Sequence, residues 1–527
     1  MDVLQRRKEK LFAMLKSKKA WVTIAILILA FVLRYLVAIE HQPPAQWWDS
    51  GDYMTAAKEI AGITHLDSFT LNPRRPFLLS VLWAVLLKLG GNDTTLMWSS
   101  LIFSLAAVWL LYLLAKRLFN QPVAWITAFL VAVSWQNVFH TGRLLTDIPS
   151  LTFWLAAAYF FWMGYGEERS SKDLVLAGMF FGLAWFTRAA SLIYVVPLFA
   201  VIFMKDHFLF VKQKRFWLFV LLALVAVAPF VVWLFSTYDN PIQKFTGLGG
   251  SEQRFAGRWQ FHYLWDNLGP VANDILTPSI SNVFFSAKFL GLLILLVCFW
   301  RCLHVFLGFD VLWKTRDKEL LKRWFLLTWL LIPFVFYSLA GAGVEDRYLL
   351  GMFPVIFMFF GDAVVSLLRH AGKLKTVFWC LAIAIILFVG SQHIATGYTA
   401  AVNAKNGFAE VAYAGEWMKQ NSNVGDAVIT ASKYQNLYYS ERETYGFMNT
   451  SADKENASSF LYRLRDINPK FVVLSVYESA FTPQWAYQYP QQYQQMFIAV
   501  QGYLDAQQNP RLVVYYYNAS ANPLNKK

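Results

Sequence analysis

Acids and arginines stand together at the borders of several long apolar runs in this sequence. The first group is Trp47-Trp48-Asp49-Ser50-Gly51-Asp52-Tyr53, which runs on through Met54-Thr55-Ala56-Ala57-Lys58-Glu59-Ile60. That pattern reads as a helix N-terminus with two acids in its first turn. The second is Asn72-Pro73-Arg74-Arg75-Pro76-Phe77. Later come Arg143-Leu144-Leu145-Thr146-Asp147-Ile148-Pro149, then Thr187-Arg188, then Glu345-Asp346-Arg347-Tyr348. A carboxylate can take the proton of an attacking hydroxyl or amine. Guanidinium groups suit a phosphate, which they grip through paired N–H bonds. Each feature also has a plainer reading. Asp49 and Asp147 serve equally as helix caps, Asp147 with Pro149 in the first turn. The arginines serve equally as partners of anionic lipid headgroups.

What has to position these groups follows from the composition. The 527 residues are 57% hydrophobic, 18% aromatic and 15% charged. Soluble domains are about 45–50% apolar and about 25% charged. An ordinary soluble enzyme, a disordered chain and a collagen-like chain are excluded, and a polytopic membrane protein is indicated. The net charge of +14 falls in short clusters between apolar runs, the pattern of membrane-surface loops rather than of a nucleic-acid-binding face. Cys298, Cys302 and Cys380 lie in or beside apolar segments, so no disulfide framework is encoded.

A membrane-crossing helix needs about 20 mostly apolar residues. Trp21–Ile39 is the first such run, preceded by Arg6, Arg7, Lys8, Lys10, Lys16, Lys18 and Lys19, which place the N-terminus inside. It is too long for a signal-peptide core and reads as a retained helix. Further spans are expected at 96–115, 122–139, 148–165, 174–190, 191–204, 216–236, 283–303, 324–340, 348–368 and 376–396. With about eleven spans the C-terminus lies outside, and basic clusters fall on alternate loops accordingly. Residues 1–20 are then a cytoplasmic basic segment and 21–399 the membrane module. Its first outer loop, 40–95, holds interfacial helices, because Phe77–Leu89 is too short to cross. Residues 400–527 are polar and Tyr-rich and read as an extracytoplasmic soluble α/β domain, with a helix over Phe408–Lys419 and strands over Ala427–Ala431, Phe471–Val476 and Leu512–Tyr517. Sequons at Asn92, Asn449, Asn456 and Asn518 all fall on the outer side. The fold class is thus a polytopic α-helical membrane protein with a C-terminal soluble α/β domain. On this topology Asp49, Arg74, Arg75, Arg143, Asp147, Arg188, Glu345 and Arg347 share one face, and ionisable groups at a membrane are functional candidates by default.

In order and spacing these motifs resemble the GT-C superfamily of polytopic glycosyltransferases, especially its protein O-mannosyltransferase and lipid A aminoarabinose transferase branch. Asp49-Ser50-Gly51-Asp52-Tyr53 is similar to an Asp-Glu-x-x-Tyr/Phe acid motif in the first outer loop. Arg74-Arg75-Pro76-Phe77, running to Leu89-Gly90, is similar to a basic-x-Pro motif that opens an interfacial helix. Ala115-Lys116-Arg117-Leu118-Phe119-Asn120 resembles Ala-Arg-Arg-Leu-Phe-Gly at the end of a span. Leu145-Thr146-Asp147-Ile148-Pro149 resembles the second acid motif. Arg347-Tyr348-Leu349-Leu350-Gly351-Met352-Phe353-Pro354 resembles a late Arg-Tyr-Leu-x-x-x-x-Pro element. Ser50 replaces the usual second acid, and Arg75 stands where many members have proline. The resemblance covers most of residues 20–400.

The resemblance implies a sugar donor linked to polyprenyl or dolichyl phosphate, a membrane-lipid setting, a protein, lipid or glycan acceptor, and no nucleic acid. The residues suit that donor. A phosphate leaving group needs its charge neutralised more than it needs a general acid. Arg74, Arg188 and Arg347 are the first choices, with Arg75 and Arg143 behind them. Asp49 is expected to be the base. One base and no covalent intermediate gives inversion, whereas retention needs a second carboxylate about 5 Å away. Asp147 is expected to orient the donor sugar or the acceptor. Asp52, Tyr53, Arg143, Glu345 and Tyr348 are expected along the substrate path. No cofactor is certain, and a divalent cation held by Asp49 and Asp147 stays open, although the outer loops show no His/Cys ligand spacing. Segment 237–282, with Gly247-Leu248-Gly249-Gly250, Arg254, Arg258, Trp259, His262 and Trp265, reads as a loop over the site. The rival class is a transporter or flippase of lipid-linked sugars. It calls for mid-membrane polar residues and inverted repeats, neither of which the sequence shows.

Overall fold

The computed structural model describes residues 18–40, 48–168, 170–246, 299–300, 303–339, 346–404, 408–447, 457–477 and 482–525. Its helices follow the apolar runs. In chain order they are α1 (Lys18–Glu40), α2 (Trp48–Ala61), α3 (Leu78–Lys88), α4 (Asp93–Leu118), α5 (Gln121–Val133), α6 (Trp135–Thr141), α7 (Asp147–Phe161), α8 (Ser171–Thr187), α9 (Val195–Asp206), α10 (Lys214–Thr237), α11 (Lys318–Leu339), the single turn α12 (Asp346–Leu349), α13 (Phe353–His370) and α14 (Lys375–Ala404). Seven described helical segments are long and apolar enough to cross a membrane, and eight if the bent pair α5–α6 is one span. The expected spans at 148–165 and 174–190 correspond to α7, which a π-helical turn extends through Trp162–Gly166, and to α8, which is 17 residues long. Most of the expected span at 283–303 lies outside the described residues. Helix α3 has 11 residues, too few to cross.

Local chemistry sets the helix ends. Asn92 caps α4 by a reciprocal exchange with Thr95, Asn120 caps α5 ahead of Pro122, and Ser170 caps α8. Between α8 and the 3-10 turn Ala189–Tyr194 the chain is extended at Arg188, which separates the expected tight pair of spans. Gly178 and Gly182, one turn apart on α8, meet the backbone of α10: a Cβ on either would overlap the carbonyl oxygen of Phe219 or Ala223. Small residues at such spacing let membrane helices pack backbone to backbone.

The chain between α5 and α6 bends by 52° at Ser134. Breaking a membrane helix orphans backbone carbonyls, which must be satisfied internally. Arg34 of α1, fully buried, does this. Its guanidinium donates to the carbonyls of Ala132 (2.8 Å) and Val131 (3.3 Å) and to the Ser104 hydroxyl (2.6 Å). The break turns α6 toward the loop that carries Arg143 and Asp147.

After α14 come α15 (Ala409–Gln420), β1 (Ala427–Thr430), α16 (Lys433–Ser440), β2 (Glu443–Tyr445), α17 (Ala457–Ile467), β3 (Phe471–Ser475), β4 (Phe497–Leu504) and β5 (Pro510–Tyr517). The sheet order is β2-β1-β3-β5-β4, parallel among the first three and antiparallel at β5 and β4. Strands β1 and β3 are buried along their whole length, hence their unbroken apolar runs. The sequence reading missed β2 and β4. The first is three residues, Glu-Thr-Tyr, and the second has most of its side chains exposed, so neither carries an apolar signal.

Candidate active site

Helix α2 presents Asp49 and Asp52 from its first turns, and the loop between α2 and α3 swings Arg75 across them. One guanidinium nitrogen of Arg75 donates to Asp49 Oδ1 and another to Asp52 Oδ2 at 2.7 Å. The second oxygen of Asp49 accepts from Arg347 at 2.8 Å, although the two residues are 298 positions apart. Asp49 is therefore held between a guanidinium from the loop between α2 and α3 and one from the turn α12.

The two acids titrate in opposite directions. Burial pushes Asp49 up, but the charges of Arg75 and Arg347 and the hydrogen bond from Arg347 outweigh it and hold the carboxyl below its ordinary range. Asp52 is more deeply buried, has the Arg75 charge and hydrogen bond and a weaker pull from Lys433 to set against that burial, and feels the negative charge of Asp49. Its pKa is pushed up to about 6. Tyr53 is raised by burial, packs its ring against the Arg75 guanidinium at 5.6 Å, and accepts from Thr146 at 3.4 Å.

Arg347 also lines a cleft of about 330 Å³, open mouth included, together with Asp147, Ser150, Arg188, Ser191, Tyr194, Tyr337 and Tyr348. Asp147, the first residue of α7 and 6% exposed, is paired with Arg188. The Tyr348 ring has the Arg188 and Arg347 guanidinium carbons 5.5 and 5.4 Å from its centre and stacks on Tyr337 at 5.4 Å. Gly351 is required here, because a Cβ at this position would overlap the Tyr194 hydroxyl.

Of the residues singled out from sequence, Asp49, Asp52, Tyr53, Arg75, Arg188, Arg347, Asp147 and Tyr348 form this connected set. Arg75, placed behind Arg74 in the sequence reading, is the arginine of that pair that bonds the acids; the Arg74 amide donates to the Asn72 side chain. Arg143 lies with its guanidinium 4.1 Å from the Phe139 ring centre. Glu345 and the segment 247–282 lie outside the described residues. Tyr194, Tyr337, Ser150 and Ser191 were missed: the two tyrosines sit inside apolar spans, and the two serines, although they follow the Asp147 and Arg188 groups closely, carry no charge to mark them.

Among the described residues no group of three or more His, Cys, Asp or Glu converges as a metal site. Residues 74–233 match the family model described as dolichyl-phosphate-mannose-protein mannosyltransferase. No curated protein sequence matches the chain. Over 96% of this chain and 99% of its own, the structure of ArnT from Cupriavidus metallidurans superposes with a TM-score of 0.63 at 15% identity. The chain has the fold of the GT-C glycosyltransferases. The same ArnT bound to undecaprenyl phosphate matches this GT-C fold with a TM-score of 0.60 at 14% identity over the same shares of both chains. The archaeal oligosaccharyltransferase AglB from Archaeoglobus fulgidus, in complex with an inhibitory peptide and a dolichol-phosphate, matches with a TM-score of 0.56 at 14% identity, over 96% of this chain and 75% of its own. AglB has also been solved in complex with Zn and sulfate.

Proposed function

We propose that this protein is a membrane glycosyltransferase that moves a sugar from a polyprenyl or dolichyl phosphate to a hydroxyl or amine of a protein, lipid or glycan on the extracytoplasmic face. The observation that carries this reading is Asp49, ionised between Arg75 and Arg347, with Arg347 shared by the cleft that also holds Asp147 and Arg188. A base and a set of phosphate-binding groups thus meet at one place. The lipid carriers in the ArnT and AglB structures and the family match over 74–233 support the same class of donor.

The chemistry follows from the pairing. A donor phosphate competes with the carboxylates for guanidinium N–H groups, because both anions accept the same fork of bonds. When Arg347 turns to the phosphate, one oxygen of Asp49 is released to the acceptor. Asp49 then takes the acceptor proton as the acceptor's oxygen or nitrogen attacks the anomeric carbon, the bond from that carbon to the phosphate oxygen breaks, and the carrier phosphate leaves as an anion neutralised by Arg75, Arg188 and Arg347. With Asp147 committed to Arg188, a single base acts and the anomeric configuration inverts. Tyr348 and Tyr337 supply a flat wall for the sugar.

A divalent cation between Asp49 and Asp147 fits these residues poorly. Both oxygens of Asp49 and the carboxylate of Asp147 are engaged by guanidinium groups, and three positive charges surround the place where the ion would sit. No step is assigned to a metal. We further assign residues 1–20 to the cytoplasm, 21–399 to the membrane module and 400–527 to the outer side, from the alternation of loop charge.

The test is transfer from a labelled polyprenyl-phosphate sugar by the purified protein. Asp49→Asn is expected to lower the rate by about 10²–10⁴-fold while the protein stays folded. A parental rate in that variant removes Asp49 as the base.

A further inference from the structure

Among the described residues, the hydrogen bonds that the C-terminal unit makes to α2 and to the loop after it come from the segment α16 to β2. Helix α16 lies on the first turn of α2: a Cβ on Gly51 would come within 2.8 Å of the Gln435 amide nitrogen and the Tyr434 carbonyl carbon. Gly51 sits between Asp49 and Asp52, so the two acids flank this contact. Further along α2, Lys58 donates to the Tyr438 carbonyl at 2.9 Å and to Glu441 at 2.7 Å. Met54 and Ala57 of α2 pack with Tyr438 and Tyr439 of α16 in one apolar cluster.

The loop that carries Arg75 is held by the same segment. The Glu443 carboxylate accepts from the backbone amides of Asp67 (2.8 Å) and Ser68 (2.7 Å). The Thr444 amide donates to the Ser68 hydroxyl at 3.0 Å, and Lys433 donates to the Ser68 carbonyl at 3.0 Å. Ser68 thus gives its amide, its hydroxyl and its carbonyl to the C-terminal unit. Leu66 and Phe69 beside it pack with Ala56 of α2 and Leu437 of α16. Hydrogen bonds with an ionised partner are about twice as strong as neutral ones, so this is a joint rather than a resting contact.

We propose that the C-terminal unit is a fixed wall of the active site rather than a lid, in which Glu443 and Lys433 act as positioning residues that hold α2 and the Arg75 loop in register through Ser68. This rests on the reading of Asp49 and Arg75 as reacting and phosphate-binding groups. An acid on α2 and an arginine on a loop meet productively only if both are fixed, and a displacement of about 1 Å can cost about 100-fold in rate. The joint fixes both from one side.

The experiment uses the full-length protein in lipid nanodiscs. Glu443→Ala is expected to raise amide hydrogen exchange over 62–77, to lower kcat by about 10–100-fold, and to leave donor affinity within about twofold. The acid limb of the kcat–pH profile should move to higher pH. Arg75 is the strongest charge lowering Asp49, and loosening it leaves Arg347 and Arg188 as the remaining cations, with Asp52 and Tyr53 beside it on α2 and Lys433 across from Asp52. Glu443→Gln, which keeps one acceptor for the two amides, should recover part of the rate. In Ser68→Cys/Thr444→Cys, a disulfide across the joint should leave the oxidised rate within about twofold of the reduced rate. Parental kcat and pH profile in Glu443→Ala overturn the proposal, as does unchanged exchange over 62–77. Reversible arrest on oxidation overturns it too, since the unit must then swing. Absence of transfer by the parental protein instead refutes the glycosyltransferase reading, and the exchange measurement still decides the joint.

Discussion

Two buried or half-buried arginine sites in this protein make opposite use of the same side chain. Arg34 lies inside the helix bundle and gives its N–H groups to neutral oxygens: the backbone carbonyls of Ala30, Val131 and Ala132 and the Ser104 hydroxyl. Arg347 lies at the rim of the bundle and gives one of its bonds to the Asp49 carboxylate beside an open cleft. Two of the carbonyls that Arg34 holds, those of Val131 and Ala132, belong to the broken helix and need this donor in place of the interrupted helical ladder, so the contact is permanent. The partner of Arg347 there, Asp49, is an anion, and another anion can replace it. Burial alone does not separate a structural arginine from a functional one. What separates them is whether the partner can be exchanged.

The comparison can be broken from either side. Arg34→Met should be the larger effect on the fold, because it strands the Val131 and Ala132 carbonyls at the bend. A loss of about 2–4 kcal/mol is expected, read as a lower thermal-unfolding midpoint in detergent, with donor affinity of the folded fraction unchanged. Arg347→Lys should do the reverse. It keeps the charge, loses the planar fork, and is expected to raise the donor KM about tenfold with the unfolding midpoint little changed. If Arg34→Met weakens donor binding, or Arg347→Lys unfolds the protein, the division fails.

Two smaller effects sharpen the functional side. Gly351→Ala should press on the Tyr194 hydroxyl and cost about 1–3 kcal/mol, seen as reduced transfer. Adding Tyr194→Phe should restore part of it by removing the oxygen in the way. Asp52 tests the electrostatics. Its pKa of about 6 lies above its ordinary value of 3.8, so the folded protein binds its proton more tightly than the unfolded chain. That stabilisation is complete below about pH 4 and is lost as the pH rises through about 6. Unfolding of the parent and of Asp52→Asn, compared from pH 4 to 7.5, should show the parent losing stability relative to the variant across that window. A flat difference would mean that Asp52 is not held in the environment described.

The membrane class, the chain positions of most spans, the short helix after Arg75 and the C-terminal α/β unit were legible in the order of residues, because each depends on local runs. Twenty apolar residues make a span wherever they occur, and Val-rich pentads such as Phe471–Ser475 make buried strands. The acids and most of the arginines were legible for a similar reason: a charge beside an apolar run stands out. Their pairing was not. That Arg75 rather than Arg74 turns to Asp49, that Arg347 reaches the same carboxylate, and that Arg34 serves a helix break are facts of direction and proximity across up to 298 positions. No local pattern encodes which of two adjacent guanidinium groups faces inward. The packing of helices that brings the partner close decides it, since a buried charge must find its counter-group or bury at a cost of several kcal/mol.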